Sequence, residues 1–189
     1  MNPVEFRELK DIAAYELERK TWRPRMMELK DRRRVRVGGH MTFLFENRET
    51  VRYQIQEMMR IERIVEPDAI RHELDTCNEL VPFRGELSAC LLIEYASPEE
   101  RAVALHDLLG LENHVWMVVA DEPPAQARFD TRQISSDRLS AVQYVKFPLA
   151  PEQRARWRDG ARIVIDHPKY QAEQALTEPQ LDELAQDFQ

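Results

Sequence analysis

The segment Arg33–Arg63, "RRVRVGGHMTFLFENRETVRYQIQEMMRIER", contains the strongest structural signals of the chain. Apolar residues alternate with polar ones on both sides of Gly38-Gly39, which predicts a β-hairpin over residues 34–46 with the glycines at the turn. Asn47 is a helix-capping residue type, and Glu49 would lie in the positively polarised first turn. The segment therefore predicts a hairpin followed by a helix that runs to about Val65.

The predicted helix over 47–65 combines an apolar face with many polar side chains. On a helical wheel Gln54 and Glu62 fall inside the apolar arc, and Glu57 lies at its border. A carboxylate on a buried face has to be paired, hydrogen-bonded or protonated. Two interpretations stay open: these groups form a buried structural network, or they line a pocket together with Tyr53.

The rest of the chain predicts helices first and strands later. Helices are predicted over residues 3–19, 23–33 and 67–81, with Pro24 near the start of the second. From Gly85 onward the order is strand, helix, strand, one or two strands, short helix, strand and terminal helix, which resembles a split βαβ, ferredoxin-like layout. We therefore predict an α+β fold. A mostly helical region with a hairpin spans 1–84, an α/β sandwich region with an antiparallel or mixed sheet and helices on one face spans 85–189, and the two form one compact unit.

Composition is that of a globular protein. The 189 residues suffice for one domain, and the charged fraction of 32% and apolar fraction of 43% argue against disorder. We expect no membrane span and no signal peptide, because no long apolar run occurs. Cys77 and Cys90 lie on predicted core elements and form no C-x-x-C motif, so we expect a reducing cytoplasm and no bound cofactor.

The net charge of −7 is unevenly distributed. Residues 1–60 hold 14 Lys/Arg against 10 Asp/Glu, a net +4, whereas the remainder holds 13 against 24, a net −11. The cluster Arg32–Arg36 could contact a phosphate backbone, which is the basis of a nucleic-acid hypothesis. The acidic remainder argues against a duplex as partner, and arginines paired with acids elsewhere in the chain are the alternative.

The five histidines show no metal-binding spacing. None stands in a Glu-x-x-His or His-x-x-x-His relation, so no metal site is predicted. Strand ends often carry function, and for this reason Asp166, His167 and Tyr170 in "IDHPKY" are candidates. His40, directly after the Gly-Gly turn, is a further candidate.

The segment "KDRRRVRVGGHMTFLFENRETVRYQIQEMMRIERI" resembles a bacterial family filed as domain of unknown function number 3501. The similarity continues through "HELDTCNELVP", "LSACLLIEY", "SAVQYVKFPL" and "IDHPKY", and so covers nearly the whole chain. The resemblance implies no catalytic residue or cofactor. It does imply gene neighbours of the rubrerythrin and iron–sulfur oxidoreductase kinds. The positions that match the family's motif are Phe45, Glu46, Asn47, Arg48, Thr50, Tyr53, Gln54, Gln56, Glu57, Met58, Arg60 and Glu62.

Three functional hypotheses follow. The leading one is a cytoplasmic, non-catalytic accessory or binding protein that acts with a redox or iron–sulfur partner, as a homodimer because two-fold assemblies are the commonest. The second is a small-molecule enzyme or sensor that uses the polar helix 47–65. The third is nucleic-acid binding through Arg32–Arg36. The candidate ligand or partner residues are Glu46, Asn47, Arg48, Thr50, Tyr53, Gln54, Gln56, Glu57, Arg60 and Glu62.

Overall fold

A computed structural model describes residues 1–188 of the chain. Within these residues the α-helices are Ile12–Arg32 (α1), Arg48–Glu62 (α2), Pro67–Asn78 (α3), Pro98–Asp107 (α4), Pro151–Ala155 (α5) and Glu178–Leu184 (α6). The strands are Arg34–Val37 (β1), Met41–Glu46 (β2), Glu86–Ile93 (β3), Val115–Val119 (β4), Ala125–Gln126 (β5), Arg128–Phe129 (β6), Val142–Pro148 (β7), Ala161–His167 (β8) and Tyr170–Ala175 (β9).

The strands form two antiparallel sheets, which confirms the predicted α+β class. The first sheet has the order β1-β2-β3-β7-β6 and the second the order β5-β4-β8-β9. The ferredoxin-like detail is not confirmed, because β3 and β4, which flank α4, lie in different sheets. The first sheet combines strands from the predicted regions 1–84 and 85–189.

The predicted hairpin is confirmed, and its register places the apolar residues as expected. Val35 pairs with Phe43 and Val37 with Met41. Gly38 has φ of 68°, and a Cβ atom at this position would collide with the Tyr170 hydroxyl. The turn therefore requires glycine both for its backbone conformation and for the close approach of β9.

Two apolar cores lie on opposite faces of the first sheet. Phe43, Phe45 and Phe147 pack with residues of the second sheet. On the other face Cys90 packs with residues of α2 and α3, among them Ile55 and Leu74. The molecule is thus layered as helices, first sheet and second sheet, and α2 is buried between the first sheet and α1.

Three predicted helices are wrong in their boundaries. Residues 3–19 and 23–33 were expected as separate helices, but α1 is continuous and contains Pro24, while residues 6–8 form a short 3-10 helix. Pro24 lacks the N–H that would bond to the Lys20 carbonyl, and α1 nevertheless continues because it packs along α2. Helix α2 ends at Glu62, earlier than expected, and Arg63 adopts the left-handed conformation that stops it.

Strand β9 was not expected from the sequence. Its residues are polar or small and mostly exposed, so they lack the apolar alternation by which strands are recognised. It pairs with β8 at the edge of the second sheet. Among residues 1–188 no helix is both long and apolar enough to cross a membrane.

Candidate functional site

The first turn of α2 uses three of the predicted site residues to start the helix. The Asn47 side chain accepts a hydrogen bond from the Thr50 N–H at 3.0 Å, and the Thr50 hydroxyl accepts one from the Asn47 N–H at 2.9 Å. Arg48 forms an ion pair with Glu8 of the N-terminal 3-10 helix. These contacts fix where α2 begins and attach the N-terminal segment to it.

Glu57 is the centre of an ion-pair network between α1 and α2. Arg19 donates to both of its carboxylate oxygens, at 2.6 and 3.0 Å. The Tyr15 hydroxyl donates to Oε1, and Arg60 to Oε2 at 3.4 Å. Burial alone would raise the pKa of Glu57, but the hydrogen bonds from Arg19 and Tyr15 outweigh it and lower this pKa to about 2. The carboxylate is therefore ionised and its oxygens are occupied by partners from the chain itself. Burial, and then the bond to Glu57, raise the pKa of Tyr15.

Gln56 and Tyr53 also have partners within the protein. The Gln56 amide is 2% exposed and binds the backbone of Lys10 through two hydrogen bonds, of 2.7 and 3.1 Å. Tyr53 packs edge-to-face on Trp22, with ring centroids 5.6 Å apart, and burial raises its pKa. Gln56 therefore holds the segment before α1, and Tyr53 holds α1 itself, against α2.

Glu62 does not lie in a buried seam, contrary to the expectation from the helical wheel. It is exposed, as are Ile61 and Val65. The wheel assumed one buried face, whereas α2 is covered by α1 on one side and by the first sheet on another. Over Val51–Met59 the buried part of the helix surface is consequently wider than the wheel predicted. The last turn of α2 extends beyond both α1 and the first sheet.

The two cysteines lie between the first sheet and the helices, close to two carboxylates. We term this group the thiol–carboxylate cluster (Glu46, Glu73, Cys77, Cys90), and Gln54 contacts it from α2. The Cys77 thiol donates to Glu73 at 3.2 Å, and Gln54 donates to Cys77 at 4.0 Å. Burial and then a neighbouring carboxylate, Glu73 for Cys77 and Glu46 for Cys90, raise the pKa of both thiols. Both cysteines are free and stay protonated at neutral pH.

Glu46 itself is buried, and it forms no ion pair with a cation in the described part of the chain. It is 1% exposed, and its Oε2 atom has no hydrogen-bond partner among the described residues. Its strand neighbour in register is Ser88 on β3. Within residues 1–188, no group of three or more His, Cys, Asp or Glu side chains is arranged to hold a metal ion.

The candidates near the strand ends connect the two sheets. The Tyr170 hydroxyl donates to the Val37 carbonyl at 2.7 Å and accepts from the His40 N–H at 3.1 Å. The His40 ring stacks on Tyr95, with centroids 4.0 Å apart. Tyr170 thus fixes the hairpin turn against the second sheet.

His167 and Asp166 lie at the end of β8. His167 is 4% exposed; its Nδ1 accepts from the Lys169 N–H at 3.2 Å, so its Nε2 is the donor to the Leu109 carbonyl. Asp166 accepts from Trp116 at 3.1 Å and lies 3.0 Å from His114 Nδ1. The hydrogen bonds from Trp116 and then His114 lower the pKa of Asp166.

The basic cluster Arg32–Arg36 is largely neutralised by the chain's own acids. Arg33 is fully buried and pairs with Asp187 and with Glu183 at 3.3 Å. Arg32 also pairs with Glu183, and Arg34 lies 3.7 Å from Asp31. This is the arrangement that the alternative to nucleic-acid binding expects.

A cavity of about 610 Å³, which we term the sheet pocket, opens on the helix-facing side of β3, β7 and β6. Its floor and walls include Leu80, Ser88, Arg128, Arg132, Tyr144 and Lys146. Tyr144 is paired with Cys90 in register, so the pocket floor is continuous with the thiol–carboxylate cluster. Burial, followed by the nearby Cys90, raises the pKa of Tyr144.

Several polar groups of the sheet pocket have no hydrogen-bond or ion-pair partner among residues 1–188. Ser88 is 1% exposed, and neither its hydroxyl nor that of Tyr144 hydrogen-bonds to a residue in the described part of the chain. Arg128 takes part in none of the ion pairs formed by residues 1–188, whereas Arg132 pairs with Asp130 and Glu79 and Lys146 with Glu86. The groove between α1 and α2, of about 570 Å³, also contains cations: Lys10 and Arg52 are paired with Glu18 and Glu49, whereas Arg25 takes part in none of the ion pairs among residues 1–188.

Sequence reasoning did not identify the sheet pocket. Its residues come from four separate segments, and only the antiparallel register brings Ser88, Lys146 and Arg128 side by side. One local signal existed: Tyr144 and Lys146 alternate with buried residues in "VQYVKFP", so that polar side chains share one face of a strand.

The comparisons with known proteins identify the family. The family model described as "Protein of unknown function (DUF3501)" matches residues 3–188, and the chain belongs to this family. The chain is also similar to a solved structure, a novel protein of unknown function from Burkholderia pseudomallei K96243. The two are 34% identical, the match covers 100% of both chains, and the TM-score is 0.93. No curated protein matches the chain.

Proposed function

We propose that the protein is a non-catalytic binding protein that takes up a small molecule in the sheet pocket. The observation that carries this proposal is the convergence of unpartnered polar groups, from Ser88, Tyr144 and Arg128, on one cavity. Small-molecule sites have volumes of roughly 300–1,000 Å³, mostly apolar walls and a few orienting polar groups. The volume of about 610 Å³ and the wall residues Leu80 and Phe129 fit this description.

A fragment screen by ligand-observed NMR tests this proposal. Thr76 is an exposed residue of α3 that lines the pocket, whereas its neighbour Asp75 is exposed and does not line it. We expect fragments to bind the wild type and Asp75→Trp, and to lose binding in Thr76→Trp because the indole fills the cavity. Fragments that bind both variants equally, or no fragment binding at all, would reject the proposal.

The biological setting we propose is that of an accessory protein in the cytoplasm that works with a redox or iron–sulfur protein. The family resemblance supports this setting. Two free, buried cysteines support a reducing compartment. Burial raises the pKa of both thiols, so they stay protonated and unreactive, which supports a partner protein as the carrier of any electrons. Affinity capture from the native host recovers a redox protein if this is right, and its absence under both oxidising and reducing conditions speaks against it.

The proposed assembly is a homodimer. Its support is the general prevalence of two-fold symmetric assemblies. Native mass spectrometry measures the subunit number directly, and the same spectrum detects a retained small molecule by its mass. A monomer at micromolar concentration would refute the dimer without affecting the proposed binding function.

A further inference from the structure

We propose that the ligand of the sheet pocket is a small organic anion, a carboxylate or a phosphate monoester, whose anionic group lies beside Arg128 and Lys146. This inference rests on the proposed binding function and specifies the ligand class. It starts from the register of the first sheet, in which Arg128 of β6 lies directly opposite Lys146 of β7.

A directly opposed pair of like charges is unfavourable in an antiparallel sheet. Side chains at such positions share one face, with Cβ atoms about 4.5–5.5 Å apart, and like charges there destabilise the pair. Neutralisation by the protein is incomplete: Glu86 contacts Lys146 at 2.8 Å, and Arg128 forms no ion pair with a residue of the described chain. Arg128, which is exposed, is therefore the cation of the pocket that is left without an ion-pair partner among residues 1–188.

The groups next to this charge suit an oxyanion. Ser88 is the register neighbour of Lys146 on its other side, so that a guanidinium, an ammonium and a hydroxyl follow one another in a row that ends on β2 with the buried Glu46. Because the Glu46 carboxylate repels an anion, the anionic group of the ligand belongs at the Arg128 end of this row. Charge-assisted hydrogen bonds from arginine to a carboxylate or phosphate are among the strongest available to a protein. Because Ser88 is 1% exposed and its hydroxyl is unpartnered, this row has donors that a bound anion would satisfy.

The remaining walls suit the body of the ligand. Leu80, Phe129 and Tyr144 give an apolar surface beside the row. Arg132, the third cation of the pocket, is paired with Asp130 and Glu79. It therefore connects the β6–β7 loop with the end of α3. An aromatic or short aliphatic acid matches both halves of the cavity.

Calorimetry and NMR shift mapping with benzoate, phenyl phosphate and neutral benzyl alcohol test the inference. We expect at least one of the two anions to bind the wild type about tenfold or more tightly than the alcohol, to shift the Ser88 and Tyr144 signals, and to bind less tightly as salt is raised. Arg128→Gln should remove this preference, and Arg128→Lys should retain part of it. Arg158→Gln, which changes an exposed arginine paired with Asp182, is the matched control and should behave as wild type.

The outcomes separate the two proposals. If the alcohol binds as tightly as the anions in the mapped pocket, and Arg128→Gln changes nothing, the anion inference is overturned while the binding function stands. If none of the probes binds and the fragment screen is also empty, both fail. Shifts that map away from Ser88 and Tyr144 also overturn the inference.

Discussion

At the scale of single residues, Glu57 illustrates how a charged group in a helix interface becomes structural. Its carboxylate accepts from Arg19, Tyr15 and Arg60, and its side chain is 16% exposed. A carboxylate that binds a substrate needs at least one oxygen that is not already occupied by partners from the protein. The interpretation of the α1–α2 contact as a network is therefore the one that the geometry favours.

The lowered pKa of Glu57 leads to a pH-dependent stability. Since its folded pKa of about 2 lies below the ordinary glutamate pKa of 4.5, its contribution to stability is complete above pH 4.5 and is lost as the pH falls towards 2. We expect Glu57→Gln to lower the free energy of unfolding at pH 7 by about 2–3 kcal/mol. The difference from wild type should shrink between pH 5 and pH 2.5. Urea unfolding at several pH values measures this.

Glu49→Gln is the control for this prediction. Glu49 lies on the same helix and pairs with Arg52 in a more exposed contact, so its loss should cost less than about 0.5 kcal/mol. A difference between wild type and Glu57→Gln that stays constant down to pH 2.5 would contradict the role assigned to the ionised carboxylate.

At the scale of secondary-structure elements, α1 is held by its neighbour more than by its own sequence. It contains Pro24 in its middle and has few buried residues, Tyr15 and Met26. Its position depends on the contacts with α2: the Glu57 network and the edge-to-face contact of Trp22 with Tyr53. The prediction of two shorter helices followed from the local rule for proline, which tertiary packing overrides here.

Pro24→Ala tests this account of α1. Pro24 is exposed, and alanine would restore one backbone hydrogen bond and improve helix propensity. The greater freedom of the unfolded chain offsets part of the gain. We expect the free energy of unfolding to rise by about 1 kcal/mol, measured by urea denaturation. Lys20→Ala, at another exposed position of α1, should stay within about 0.5 kcal/mol of wild type. Destabilisation by Pro24→Ala would show that the proline itself shapes the α1–α2 contact.

At the scale of the whole molecule, Arg33 joins the C-terminal segment to the junction of α1 and the hairpin. Its guanidinium donates to the carbonyls of Phe45 and Glu46, at 2.9 and 3.2 Å, and pairs with Asp187 and Glu183 from the C-terminal segment. Burial, opposed by the charge of Arg33, raises the pKa of Asp187. The C-terminal segment is therefore attached by a buried ion-pair network at the junction of α1 and the hairpin.

Arg33→Met should be the most destabilising of the substitutions considered. It leaves the buried carboxylate of Asp187 without its cation and Glu183 with Arg32 alone, which costs about 3–5 kcal/mol. The adjacent Arg32, half exposed in its contact with Glu183, is the control, and Arg32→Met should cost less than about 1 kcal/mol. Chemical denaturation followed by circular dichroism compares the two. Equal effects would mean that the buried network is not what stabilises the C-terminal segment.

The fold was predictable where local chemistry decides and not where distant segments meet. The hairpin register, the Asn47 cap and most strands follow from residue type and spacing. The division into two sheets does not, because an antiparallel strand pair such as β3 with β7 joins residues far apart in the chain, and an alternating pattern specifies a face without specifying the partner.

The candidate site was predictable only in part for the same reason. The wheel placed Glu57 at the border of the apolar arc, and Glu57 is half-buried. It placed Gln56 on the opposite side of the helix, whereas Gln56 is 2% exposed. It failed for Glu62, because the periodicity of α2 does not show which turns of this helix are covered by α1 and by the first sheet. The sheet pocket was not predicted, since none of its residues forms a recognisable motif within its own segment.

The sequence by itself determined the α+β fold class, the family to which the protein belongs, the hairpin at Gly38 and the start of α2 at Asn47. These depend on backbone conformation, capping and apolar periodicity, which act over a few residues. Only the tertiary structure decided that Arg33 is buried against Asp187, that Glu57 is held by Arg19, and that Arg128 faces Lys146 beside Ser88. Such pairings depend on which surfaces of the folded chain come together, and burial decides which charges have to find a partner.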